Sequence, residues 1–198
     1  MFTKYVTILF VLLTAVGVGY SQSTVHLLAG TAHNEQVSNV EAGSPSFGLE
    51  YEHPLSKKWN SDTTLLYSAD RERGTHKGNT WSVLSFAEYY PNSKVFVGAG
   101  AQVTRASNSS GATVSLNPTL EAGLDLPYKR LTFEPYVQGA LPDVIQKSRG
   151  RNIGGGLNVY LATTKNTGVH VYTYAFKNYW NGGSGTSTGI IGGYYFKF

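Results

Sequence analysis

The sequence predicts an all-β chain closed into an up-and-down antiparallel transmembrane barrel of ten strands, with eight or twelve as alternatives if a hairpin is merged or spurious. Three observations carry this. After residue 21 the chain alternates apolar and polar residues with period two and shows no helical period. Charged residues make up 14% of the chain, and glycine (23) and tyrosine (14) are abundant. That charge content is well below the roughly 25% of ordinary globular domains. The last eleven residues form an aromatic strand that ends on Phe198. Chain ends usually fray, so such a strand makes sense where it zips against the first one and leaves no edge.

Composition sets further bounds. The 198 residues fit one domain of ordinary size. No cysteine is present, so disulfides and thiolate metal sites are excluded. A mean hydropathy of -0.19 suits strands that alternate and never build the apolar run of a membrane helix. The formal charge of +4 comes without a concentrated basic stripe, which argues against nucleic acid as a partner. Its basic residues read mostly as solvated loops and turns.

Taken in order, residues 1–21 read as a signal peptide. Lys4 supplies the positive start, residues 6–18 an apolar run, and small residues at 19 and 21 a cut ahead of Gln22. Residues 22–198 are then the barrel. Strands are expected at 24–32, 46–53, 62–69, 80–90, 94–104, 112–125, 130–140, 153–162, 168–177 and 188–198. In the first, Val25, Leu27 and Ala29 oppose His26, Leu28 and Gly30; in the second, Phe47, Leu49 and Tyr51 oppose Glu50 and Glu52. The connections alternate in kind. Compact turns fall at 54–60, 91–93, 126–129 and 163–167, and longer polar loops at 33–44, 70–79, 105–111, 141–151 and 178–186. Short turns on one side and longer loops on the other are what outer-membrane barrels show. Pro118 and Pro135 fall inside strands, where a missing N–H must interrupt the ladder or mark a bulge.

One parity of these strands is nearly free of charge and becomes the lipid face. A mid-bilayer Arg or Lys there would cost about 2–4 kcal/mol. Aromatic residues gather near strand ends, with Tyr51, Trp59, Tyr89, Tyr128, Phe133, Tyr194 and Phe196 toward the turns. Tyr67, Trp81, Tyr179 and Trp180 lie toward the loops, giving two interfacial girdles.

With the leader, the alternating strands and the closing Tyr194-Tyr-Phe-Lys-Phe198, the chain resembles the small outer-membrane β-barrels of Gram-negative bacteria, of the opacity-protein and small-porin type. The resemblance implies outer-membrane localisation after export. It also implies that the barrel-assembly machinery reads the last strand, with Ile190, Tyr194, Phe196 and Phe198 at the signal positions and Gly192 departing weakly from the pattern. Outer-membrane lipids and lipopolysaccharide are the implied partners. Such architecture hosts many functions.

The lumen parity carries a polar cluster of Glu50, Glu88, Glu121, Asp125, Arg130 and Glu134. A four-residue turn at 126–129 would pair Asp125 with Arg130 and set Glu121 against Glu134. Two carboxylates at that separation can share a proton, although interior charge is ordinary in narrow barrels. The five histidines show no metal-ligand spacing along the sequence and no Ser/His/Asp grouping, so neither a catalytic centre nor a metal or cofactor is expected. Basic residues cluster in two loops facing the cell exterior, Arg71, Arg73 and Lys77 in one and Lys147, Arg149 and Arg151 in the other. They are suited to lipopolysaccharide phosphates. The many lumen-facing Tyr and Phe predict a largely filled interior. The expected role is structural or surface interaction with an unspecified external ligand; a narrow pore for small solutes comes second and an enzyme third.

Overall fold

The computed structural model describes residues 22–34, 44–72, 75–109, 111–145, 150–180 and 183–198. The expected signal peptide at 1–21 lies outside these residues, as do Arg73, Lys147 and Arg149 and the side chains of Arg71 and Lys77.

Eleven strand segments follow one another: β1 (Thr24–Asn34), β2 (Ser44–Pro54), β3 (Trp59–Glu72), β4 (Thr75–Asn92), β5 (Val95–Asn108), β6 (Gly111–Leu124), β7 (Leu126–Tyr128), β8 (Leu131–Ala140), β9 (Arg151–Ala162), β10 (Thr167–Trp180) and β11 (Gly183–Lys197). Apart from β6 and β7, successive segments pair antiparallel, and β1 also pairs with β11. Both β6 and β7 pair with β8, so together they form one stave, and the sheet closes as a ten-stave barrel.

The two prolines account for the broken stave. Ala162 N donates to Arg130 O at 2.9 Å, which sets the phase of β8. Its even-numbered residues bond toward β9 and its odd-numbered ones toward β6 and β7. Pro135 therefore faces a ladder to which it cannot donate. The break at Leu124–Asp125 lies opposite it. Register is unchanged across the gap, from Gly123↔Tyr136 to Leu126↔Phe133. Pro118 poses the same problem one end higher. Leu141 N donates to Pro118 O at 2.8 Å, but the Leu141 carbonyl gets nothing back from a proline nitrogen. The Asn117 side-chain amide donates to it instead, at 2.9 Å. Beyond this point β8 leaves the ladder, and Asp143 Oδ1 accepts from Leu116 N at 2.9 Å.

Three expected loops turn out to be mostly strand. Residues 70–79 are drawn into β3 and β4 as far as the Glu72↔Thr75 pair, residues 105–111 into β5 and β6 as far as Asn108↔Gly111, and residues 178–186 into β10 and β11 as far as Trp180↔Gly183. Their polar composition predicts loops. Backbone pairing simply continues beyond the bilayer, where polar side chains are tolerated on both faces.

Burial follows the alternation. Val137 is 62% exposed and Ile190 54%, whereas Ile191 and Tyr195, which are in phase with the lumen, are 0% and 5% exposed. Apolar residues that exposed, all round a barrel, belong against lipid. Among the described strand residues, outward-facing cations appear toward the loop end, at Arg105, Arg151 and Lys177. Below them the outward face of β5 and of β9 is free of charge for nine residues, Val95 to Val103 and Ile153 to Leu161. That is close to the roughly 9–11 residues a strand needs to cross a bilayer. Aromatic pairs flank this belt. Tyr67 and Trp81 lie 4.8 Å apart at the loop end, with Arg151 over the Tyr179 ring at 5.5 Å. Trp59 and Tyr89 (5.1 Å) and Tyr194 and Phe196 (4.9 Å) lie at the turn end.

Candidate functional site

The site is the lumen. A cavity of about 830 Å³ is lined by residues from both ends of the barrel, from Thr24, Glu52 and Lys197 at the turns to Ser44, Thr104, Asn178 and Ser187 toward the loops. The aromatic rings of the lumen parity lie against the wall beside this cavity. A Cβ added at Gly100 would strike Phe86, at Gly123 Phe96, at Gly156 Tyr136, at Gly168 Tyr195 and at Gly189 Tyr174. Each ring is laid over a glycine of a neighbouring strand, and the glycine's missing side chain is the space it occupies.

Carboxylates dominate what remains. Glu50, Glu52, Asp62, Glu88, Glu121, Asp125 and Glu134 line the cavity, with Lys129, Arg130 and Lys197 at its turn end. Their strand positions fix their neighbours. Glu88 on β4 accepts from Asn60 Nδ2 at 3.2 Å and from the Tyr90 hydroxyl at 3.1 Å. Glu134 on β8 accepts from Asn158 Nδ2. Glu121 stands above Gly98, which gives it room. Buried oxygens of Asp62, Glu121 and Asp125 have no hydrogen-bond donor from the protein; groups of this kind call for water or a cation as partner.

The expected pairing of these carboxylates is overturned. The hairpin turns at Lys129–Arg130, with Lys129 at φ 59, while Leu126, Pro127 and Tyr128 stay extended against β8. Glu121 is therefore opposite Gln138, and Asp125 stands across from Glu134. Glu121 does not face Glu134 across the ladder, and Arg130 sits in the exposed turn rather than opposite Asp125. Pro127 is compatible with this strand because its nitrogen points off the ladder to β8.

On the opposite wall the barrel assembles a cluster that sequence spacing does not reveal. His26 on β1 pairs with Glu50 on β2 and with Tyr195 on β11. His170 on β10 pairs with Gly193 on β11, which presents no side chain. The two histidines thus meet across β11, 144 residues apart in the chain, with their Nδ1 atoms 3.1 Å apart. Glu50 Oε2 lies 3.9 Å from each of these nitrogens. Glu52 Oε1 is 3.2 Å from His26 Nε2, off the line of a hydrogen bond. Both rings are 1% exposed. Tyr160 stacks on His170 at 4.4 Å, and Tyr195 tilts toward His26 at 5.5 Å. The only signal available beforehand was parity, which put both histidines on the lumen side.

At the end of the chain, Ile190, Tyr194 and Phe196 face outward, and Phe198 is 69% exposed. Ser23 and Phe198 exchange two backbone bonds of 3.0 Å. Of the six basic loop residues, Arg151 has a described side chain; it is exposed beside Tyr179.

No family model and no curated protein matches the chain. Solved structures do. The outer membrane protease OmpT of Escherichia coli aligns with a TM-score of 0.50 at 11% identity, over 90% of this chain and 96% of its own. The β domain of the Bordetella autotransporter BrkA aligns with a TM-score of 0.52 at 12% identity, over 91% and 100%. At such identities the likeness is one of fold. The chain has the fold of a small outer-membrane β-barrel.

Proposed function

We propose that the protein is a narrow outer-membrane pore that prefers small cations. The observation that carries this reading is the cavity of about 830 Å³ with lining residues from both ends and seven carboxylates on its wall. A low-dielectric tube lined by one sign of charge concentrates the opposite sign. The flattened aromatic rings and the donorless carboxylate oxygens support the same reading, since both favour a hydrated interior. The test is conductance of the refolded protein in planar bilayers under a potassium chloride gradient. Small, stable steps with a reversal potential toward that of potassium are expected; a silent bilayer with demonstrably inserted protein would sink the proposal.

The extended strand ends favour a second reading. At 14 to 18 residues, β3, β4 and β5 exceed what the bilayer requires. They would present a paired rim outside the membrane, suited to surface contacts. The register separates Glu121 from Glu134 and sets Asp125 opposite Glu134 instead, so an acidic-pair enzyme reading would rest on those two residues.

A further inference from the structure

The cluster on the wall formed by β1, β2 and β10 has the geometry of a metal site. We infer that His26, Glu50 and His170 bind one divalent transition-metal ion, zinc by preference, inside the lumen. This is independent of whether the barrel conducts.

The distances carry the argument. The two Nδ1 atoms are 3.1 Å apart and Glu50 Oε2 is 3.9 Å from each. A point about 2.1 Å from all three atoms exists within that triangle, the length of a zinc–imidazole or zinc–carboxylate bond. Among the described residues, this is the one group of histidines and carboxylates whose donor atoms converge closely enough to share an ion. The simpler alternative is a hydrogen bond between the two rings. It accounts for the 3.1 Å contact but leaves Glu50 without a role, since 3.9 Å is too long for a hydrogen bond to either nitrogen. An oxygen equidistant from two nitrogens is what a shared ion requires.

The surroundings agree. Glu52 Oε1 lies 3.2 Å from Nε2 of His26, off the line of a hydrogen bond, and its charge there favours the ring proton on Nε2, leaving Nδ1 with its lone pair free. A carboxylate behind a ligating histidine is the usual arrangement at zinc sites. Stacking by Tyr160 fixes the plane of His170. Two imidazoles and one carboxylate suit zinc better than magnesium or calcium, which favour oxygen ligands. Three protein ligands leave a fourth position, and all three residues line the cavity, so an ion can enter from the lumen.

The experiment uses the refolded full-length barrel in detergent, stripped with chelator and checked for folding by heat-modifiable migration. Calorimetric titration with zinc should give one site per chain. Cobalt in its place should show the visible absorption of a four-coordinate nitrogen and oxygen site. His26→Gln, His170→Gln and Glu50→Gln should each weaken zinc binding at least tenfold while migrating as folded barrels. His53→Gln, on a histidine outside the cluster, should leave it unchanged. Absence of binding, or binding equally strong in folded His26→Gln and His170→Gln proteins, would overturn the assignment. Should either His→Gln protein fail to fold, the Glu50→Gln titration and the cobalt spectrum of the unmodified protein decide the matter. A calcium preference over zinc would also overturn it.

Discussion

At the scale of single residues, the lumen is kept open by glycines that are not in turns. Gly189 shows this most directly, because the three nearest atoms a methyl group added there would meet all belong to the Tyr174 side chain. The ring lies flat because there is no Cβ beneath it. Gly189→Ala should therefore push Tyr174 into the lumen, lowering single-channel conductance. Overpacking of this kind costs about 1–3 kcal/mol, readable as a shift in urea unfolding of the vesicle-inserted protein. Tyr174→Ala should do the reverse to conductance. Equal conductance in both variants would mean that the ring does not govern the passage. Composition alone gave the opposite inference. Aromatic side chains on the lumen parity were rightly placed but read as filling, since which glycine lies beside which ring depends on strand register. The convergence of His26 and His170 was hidden for the same reason, with nothing local to either histidine announcing the other.

At the scale of elements, most strands were legible because one face must be apolar and charge-free, and a one-residue slip would invert it. What was not legible was where pairing stops. Above the bilayer no face is penalised for polarity, so periodicity fades while the ladder continues, and β3, β4, β10 and β11 run further than their patterns suggest. The closing strand separates two roles that sequence combines. Backbone bonds between Phe198 and Ser23 seal the barrel, whereas the Phe198 ring projects outward. Deleting Phe198 removes both bonds, at about 0.5–1.5 kcal/mol each, and should lower the stability of protein refolded into vesicles. Phe198→Ala keeps the bonds and should refold nearly as the parent does. If the ring is the assembly signal, the alanine variant should reach the outer membrane of cells as poorly as the deletion. Normal assembly of Phe198→Ala in cells would assign the whole effect to the seal.

At the scale of the whole molecule, the sign of the net charge misleads. The chain is formally +4, yet among the described side chains the cations sit at the turns and the loop-end rim while seven carboxylates line the cavity. Lysines 57, 58, 94 and 165 all lie in exposed connections or beside them. An ion entering the barrel therefore meets an acidic wall whatever the total charge. Screening distinguishes the two contributions. Exposed charges more than about 10 Å away are largely screened at 0.1 M salt, whereas charges in a narrow low-dielectric lumen are not. Cation preference should consequently survive moderate salt. It should fall about two-fold or more in a Glu88→Gln, Glu121→Gln double variant, because the wall charge supplies the focusing field. Lys197→Gln should raise it, since that ammonium stands at the turn-end mouth. The measurement is the reversal potential under a salt gradient at two ionic strengths. A preference that disappears at moderate salt and ignores the two glutamates would place selectivity at the rim and remove the lumen from the mechanism.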